Sequence, residues 1–285
     1  MTNAAIVAGV DGSRTAWSAL VWAAEDAARR GLPLRIVHVR EPWCAEHPLS
    51  ASSDQETLTE RCEKLLADAA GRARGLAPET PVSTTLMTGA VIERLKSESE
   101  TADTVVVGSR GLGGFAGLVL GSVGHGLAGY AESPVVIVRR LPRERGGEVV
   151  VGYDGSPCAE MALEYAWTQA TARRARLHIL HGLRYPHLAP HPTGYGPVPV
   201  DDTAEIERHL AAWQDGHGGV ELIRSMSFEH PIAALATSSR TADLVVVGSR
   251  GLGGYSRALL GSVSHGVLHR AHCPVAVVSA LRAGA

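Results

Sequence analysis

The decapeptide Val105-Val106-Val107-Gly108-Ser109-Arg110-Gly111-Leu112-Gly113-Gly114 returns unchanged as Val245-Val246-Val247-Gly248-Ser249-Arg250-Gly251-Leu252-Gly253-Gly254. Each copy leads into a second signal, Gly121-Ser122-Val123 in the first and Gly261-Ser262-Val263 in the second. Both read G-x-x-G-x9-G-S directly after an apolar β-branched run. Such a run, apolar on both faces and stopped by glycine, has the pattern of a fully buried parallel strand. Glycines beyond its end allow positive φ and let a ligand approach the main chain closely. The Gly-Ser pair then opens a stretch whose apolar positions, Val123, Leu127 and Tyr130, suit one face of a helix.

A strand end, a glycine loop and a helix N-terminus together form an anion site, with free N–H groups and the positive end of the helix dipole facing the ligand. Arg110 and Arg250 add a charged fork suited to phosphate oxygens. The competing reading is that the glycines only make tight turns. Two identical spacings, each closed by Gly-Ser, favour the phosphate reading. The loop is not a Walker A sequence, since no Gly-Lys-Ser/Thr triplet occurs. Nor is it the dinucleotide fingerprint, which follows the first strand of a unit.

The chain has 285 residues, enough for two domains that each bury a core. With 45% hydrophobic and 20% charged residues, its composition is that of a globular protein. A formal net charge of -2 offers no basic footprint for nucleic acid and no polybasic patch for a membrane. Cys44, Cys62, Cys158 and Cys273 form no C-x-x-C pair, which argues against a disulfide framework or zinc knuckle and fits a reducing cytoplasm. The apolar N-terminal run lacks a basic flank and leads directly into Asp11-Gly12-Ser13, so it reads as a first strand, not a signal peptide or membrane span.

Along the chain, strand-type and helix-type patterns alternate. Ile6-Val7-Ala8-Gly9-Val10 is followed by Ser13 as an N-cap, then by Trp17, Leu20, Val21 and Ala24 at helical spacing, and Gly31 stops the helix. Strands are expected at residues 34–39, 82–87, 105–107 and 135–138, with helices between them. Residues 141–147 read as a linker, and beyond it Val149-Val150-Val151-Gly152-Tyr153-Asp154-Gly155-Ser156 restarts the pattern at an offset of 154 − 11 = 143. The expected domains are therefore 1–141 and 147–285. In the second, a helix is expected from residue 201 to about 213 and a strand near 220–223. Residues 41–55 and the proline-rich 185–200 differ most between copies, and the latter reads as a loop over the site. The fold class is α/β: two doubly wound domains, each a five-stranded parallel sheet with helices on both faces. Ligands of such sheets bind at the carboxyl ends of strands, where Asp11 lies near Gly108 and Asp154 near Gly248.

On these residues the chain resembles the universal stress protein family, in its ATP-binding branch, with two copies of the domain filling nearly all of it. The family's G-x-x-G-x9-G-[ST] is matched by Gly108, Gly111, Gly121 and Ser122, and again by Gly248, Gly251, Gly261 and Ser262. The first-strand turns Gly9 to Asp11 and Gly152 to Asp154 are also similar to the family's, as is the second strand ending His38-Val39. The resemblance implies one ATP with magnesium in each domain, adenine near the first two strands and phosphates in the glycine loop. By position, Asp11 and Asp154 would face the ribose or a phosphate-bound metal, and Val39 would offer main-chain groups to adenine. Gly108, Ser109, Arg110, Gly111, Leu112, Gly113, Gly114, Gly121, Ser122 and Val123 would hold phosphate. Gly248, Ser249, Arg250, Gly251, Leu252, Gly253, Gly254, Gly261, Ser262 and Val263 would do so in the second copy. Gly182 stands where the first copy has Val39, which removes side-chain packing on the base.

The leading functional expectation is a cytoplasmic regulatory protein whose nucleotide occupancy biases conformation or partner choice. A slow ATPase and a structural module with empty sites are the alternatives. Phosphoryl transfer needs a positioned base or water-orienting group, and none is evident. His125 and His265, three residues after the Gly-Ser pairs, are read as capping or packing their own helices. His265, His269 and His272 are read as surface histidines and not as metal ligands, and Trp17, Trp22 and Trp167 as helix-face core residues. The uncharged runs at 135–138 and 275–278 would lie at sheet edges, where unpaired backbone invites another strand. In this family the corresponding strands pair across a two-fold axis, which implies an intramolecular pseudo-dimer, with homodimerisation of whole chains also expected.

Overall fold

A computed structural model describes residues 4–41, 57–112, 120–142, 146–182, 201–227, 229–252 and 260–280. The first half contains β1 (Ile6–Gly9), α1 (Arg14–Arg30), β2 (Leu34–Arg40), α2 (Leu58–Leu76), β3 (Val82–Thr88), α3 (Val91–Ser99), β4 (Thr104–Gly108), α4 (Ser122–Tyr130) and β5 (Val135–Val138). The second repeats it as β6 (Glu148–Tyr153), α5 (Pro157–Arg173), β7 (Arg176–Gly182), α6 (Asp201–Gly216), β8 (Leu222–Ser227), α7 (Pro231–Ser238), β9 (Leu244–Gly248), α8 (Ser262–Arg270) and β10 (Val275–Val278). The differing middle segments fall almost wholly outside the described residues, including the expected loop over the site at 185–200. Residues 143–145 of the linker also lie outside them.

Local chemistry accounts for the helix ends. The Ser13 and Ser156 hydroxyls each accept the N–H three residues on, at 3.2 Å in both halves, which satisfies a first-turn donor. Thr57 and Glu60 close a reciprocal capping box at α2. Gly31 ends α1 in the left-handed region at φ 62°, whereas Arg174 ends α5 at φ 53° with a side chain in place.

Ten strands form one sheet in the order β3-β2-β1-β4-β5-β10-β9-β6-β7-β8. Within each half every pairing is parallel. The halves join where β5 and β10 run antiparallel, with Val136 opposite Ala276 and Ile137 opposite Val275. The expected edges thus cover one another, and the exposed edges pass to β3 and β8. Those strands carry polar residues such as Ser83, Thr84, Arg224 and Ser225, which discourage further strand addition. The strand expected at 220–223 begins at Leu222 and continues to Ser227. An edge strand buries one face only, so the polar residues that obscured its limit are compatible with pairing.

Alternate strand residues feed two apolar layers. Ile6 and Ala8 face α1, α2 and α5, while Val7 faces the opposite side with α3, α4, α7 and α8. Both layers run unbroken across the β5–β10 seam, since Val136 and Ala276 share one and Ile137 and Val275 the other. Among the described residues no helix is long and apolar enough to cross a membrane.

Candidate functional site

Pairing of β1 beside β4 brings the two sequence signals together at one end of the sheet. Asp11 ties them. Its Oδ1 accepts the N–H of Ser13 at 2.9 Å, and its Oδ2 accepts the N–H of Leu112 at 3.0 Å. Asp154 repeats this with Ser156 at 3.1 Å and Leu252 at 3.2 Å. The same turn grips the loop from a second side: Ser13 Oγ donates to the carbonyl of Arg110 at 3.1 Å, and the Thr15 hydroxyl donates to the same oxygen. Ser156 Oγ donates to the carbonyl of Arg250 at 3.4 Å, but the residue matching Thr15 is Cys158, whose sulfur lies 3.7 Å from Ser249 Oγ. Sequence reading missed Ser13 and Thr15 as loop anchors because it assigned Ser13 only as a cap.

Gly108, Gly111, Gly248 and Gly251 are required by close approach, not by positive φ. A Cβ on Gly108 would lie 2.7 Å from the backbone of Thr15 and Ala16, and one on Gly111 would lie 2.6 Å from Asp11 Oδ2. Gly248 and Gly251 meet Cys158 and Asp154 in the same way. Among the described residues the positive-φ glycines of the site are Gly12 at 85° and Gly155 at 76°, within the Asp-Gly-Ser turns.

Several expected contact groups are committed to the scaffold. Ser109 donates its N–H to Val138 and its carbonyl accepts from Gly121 at 2.7 Å; Ser249 makes the same pair with Val278 and Gly261. The side chains of Leu112 and Leu252, 75% and 71% exposed, point to solvent. Other groups have hydrogen-bonding capacity to spare. Ser109 Oγ is buried with no partner among the described residues, and Arg250 Nε likewise. At α4 the first helical bond is His125 N–H to Gly121, so the N–H groups of Ser122, Val123 and Gly124 precede any intrahelical acceptor; α8 begins identically at Gly261. Ser122 and Ser262 are the first helical residues, not caps, with exposed side chains. Gly113, Gly114, Gly253 and Gly254 lie outside the described residues.

In the second half Gly152, Asp154, Gly182, Gly248, Arg250, Gly251, Gly261, Ser262 and Val263 all line one cavity of about 270 Å³, with Leu180, Pro231 and Leu235 as apolar wall. A Cβ on Gly182 would lie 2.6 Å from Pro231 Cγ. The proline ring therefore fills the space that a side chain at 182 would need. Gly9 is hemmed by Val107 and Leu95, as Gly152 is by Leu235. Val39 sits half-buried beside the apolar layer at the end of β2. His38 and His181 each hold a first-strand carbonyl through Nδ1, at 2.7 Å to Val10 and 2.8 Å to Tyr153, which fixes the Nδ1–H tautomer. Burial, then the Glu160 carboxylate that accepts its hydroxyl, pushes the Tyr153 phenol above its ordinary range.

The histidine expectation is incomplete. His125 and His265 are exposed, and their rings meet each other edge to face, centroids 5.4 Å apart, across the two halves. Repetition on one sequence could not reveal that contact, because it depends on how the halves dock. His269 joins at 4.6 Å from His265, and burial together with its cationic neighbours holds its pKa below the ordinary value. His272 Nδ1 faces Arg140 instead. Among the described residues no three acidic, histidine or cysteine side chains are placed to hold a metal ion. The halves do form the expected pseudo-dimer.

Main-chain donors at a helix start, an orphaned buried hydroxyl and a backbone cradle that a Cβ would fill are a donor set fitted to phosphate. Comparison with known proteins agrees with this architecture. The family model described as Universal stress protein family matches residues 3–139 and 147–279. Universal stress protein Rv1996 of Mycobacterium tuberculosis is 32% identical over 97% of this chain and 95% of its own length. Universal stress protein Rv2005c of the same organism is 33% identical over 95% and 96%. A universal stress protein from Archaeoglobus fulgidus, 23% identical, shares the fold with a TM-score of 0.74 over 98% of this chain and 99% of that one. With two family domains covering both halves and relatives matched along nearly their whole length, this chain belongs to the universal stress protein family.

Proposed function

We propose that this chain is a cytoplasmic stress-response regulator that binds one ATP in each half, with nucleotide occupancy controlling its conformation or partners. The single observation that carries this reading is the arrangement repeated in both halves: a carboxylate-tied glycine loop set against the uncapped start of a helix. The N–H groups of Ser122 and Val123, the Ser109 hydroxyl and Arg110 would hold phosphate, with Ser262, Val263, Ser249 and Arg250 doing so in the second half. Asp11 and Asp154 hold the loop first. Each carboxylate oxygen keeps a lone pair for a ribose hydroxyl or a magnesium ion brought by the phosphates. The apolar wall at Leu180, Pro231 and Leu235 would receive adenine in the second half. The units acting in this way would be 1–141 and 147–285.

Titration calorimetry of the full chain with ATP tests the proposal. A stoichiometry of about two is expected, and ligand at about a hundred times its Kd should add roughly 2.7 kcal/mol of stability, read as a rise in Tm. No heat and no rise in Tm would remove the reading.

A further inference from the structure

The halves also meet away from the sheet, where α1 of the first lies against α5 of the second. Here the repeat offset is 143, since 181 − 38 = 143 for the two histidines that hold equivalent carbonyls. By that offset Asp26 corresponds to Gln169, Arg30 to Arg173 and Trp22 to Tyr165. Asp26 and Gln169 are both 0% exposed, and Gln169 Nε2 donates to Asp26 Oδ2 at 3.0 Å. A residue thus touches its own counterpart, which puts this pair on the pseudo-two-fold axis.

The surroundings complete a charge-balanced node. Arg173 crosses the interface to Asp26 Oδ1 at 3.0 Å, while its Nε donates to Gln169 Oε1 at 3.1 Å and its guanidinium covers Trp22 at 5.1 Å. The second Gln169 N–H donates to Tyr165 at 3.2 Å. Arg30 lies 3.6 Å from Asp26 and grips Asp103 with two bonds of 2.6 and 2.8 Å. The strands themselves offer no comparable selection, since β5 is Val-Val-Ile-Val and β10 Val-Ala-Val-Val, each apolar throughout.

We propose that this node makes the interdomain face selective: it fits the unlike half of this chain, in the same or a second copy, and rejects a like half. Two first halves would set Asp26 against Asp26, two buried carboxylates at hydrogen-bond distance with no donor between them. Two second halves would set amide against amide, which can pair, but each Arg173, 9% exposed, would lose the carboxylate that neutralises it. Only the unlike pairing both sets a donor against an acceptor on the axis and keeps Asp26 and Arg173 each beside an opposite charge.

Three variants of the full chain test this. Gln169→Asp recreates the junction of two first halves, Asp26→Gln that of two second halves, and the double variant exchanges the pair across the axis. Both single variants should lower Tm, Gln169→Asp on the order of 10 °C, and speed deuterium uptake in peptides spanning 135–138 and 275–278. The double variant should regain most of the lost Tm and protection, because Arg30 and Arg173 flank the axis from both sides. If Gln169→Asp is insoluble, recovery of soluble protein in the double variant is the equivalent result. A double variant no better than the worse single, or Gln169→Asp with wild-type Tm and protection, overturns the proposal. None of these readouts depends on nucleotide.

Discussion

A side chain placed on Gly111 or Gly251 would meet a carboxylate before any ligand. Its Cβ would press on Asp11 Oδ2 or Asp154 Oδ2, the oxygens that accept the Leu112 and Leu252 N–H groups. Gly111→Val and Gly251→Val should therefore break the tie that shapes the loop. Because Gly111 is exposed, Gly251 is partly so and neither belongs to an apolar layer, the fold should survive. We expect each substitution to weaken ATP binding at its own site at least a hundredfold, with Tm of the free protein within a few degrees of wild type. Calorimetry on the two singles and the double reads this site by site, and wild-type affinity in the double would make the loops mere turns. The spacing of these glycines was legible in the sequence. The cause was not: positive φ and close approach of a ligand were the reasons read from the sequence, and only the fold brings a distant aspartate against them.

Helix ends and inner strands carry the next level. Gly31 and Arg174 close equivalent helices in the same left-handed conformation, but the arginine does so with a Cβ near its own carbonyl. Relieving that strain with Arg174→Gly should stabilise the chain by about 0.5–1 kcal/mol, a rise of a few degrees in Tm at most. Replacement by Ala, which keeps the Cβ, should give no such gain. The β5–β10 seam is less forgiving. Val136 and Ala276 are fully buried with strands on both sides, so proline at either removes a ladder donor and forces the backbone apart. Val136→Pro and Ala276→Pro should each expose apolar strand edges, seen as aggregation or as loss of protection across 135–138 and 275–278. Soluble, monodisperse variants with wild-type exchange would show that the seam does not hold the halves together.

At the scale of the molecule the linker should matter little once the halves have docked. A protease site introduced between Leu141 and Gly147 and then cleaved should leave two fragments that elute as one particle, because the sheet, both apolar layers and the Asp26–Gln169 node cross the junction. Two separately eluting fragments would contradict that. The sequence by itself determined the strand and helix order, the duplication, the loop pattern and the edge strands that needed a partner, because these rest on local signals: buried β-branched runs, 3.6-residue periodicity, caps and glycine spacing. It placed Ser13, Gly31 and the β5 and β10 runs correctly for that reason. What only the tertiary structure decided was contact between residues far apart in the chain: Asp11 on Leu112, Pro231 in the space beside Gly182, His125 against His265 and Asp26 against Gln169. Those pairs depend on the register and angle at which packed elements meet, and no short-range pattern encodes either.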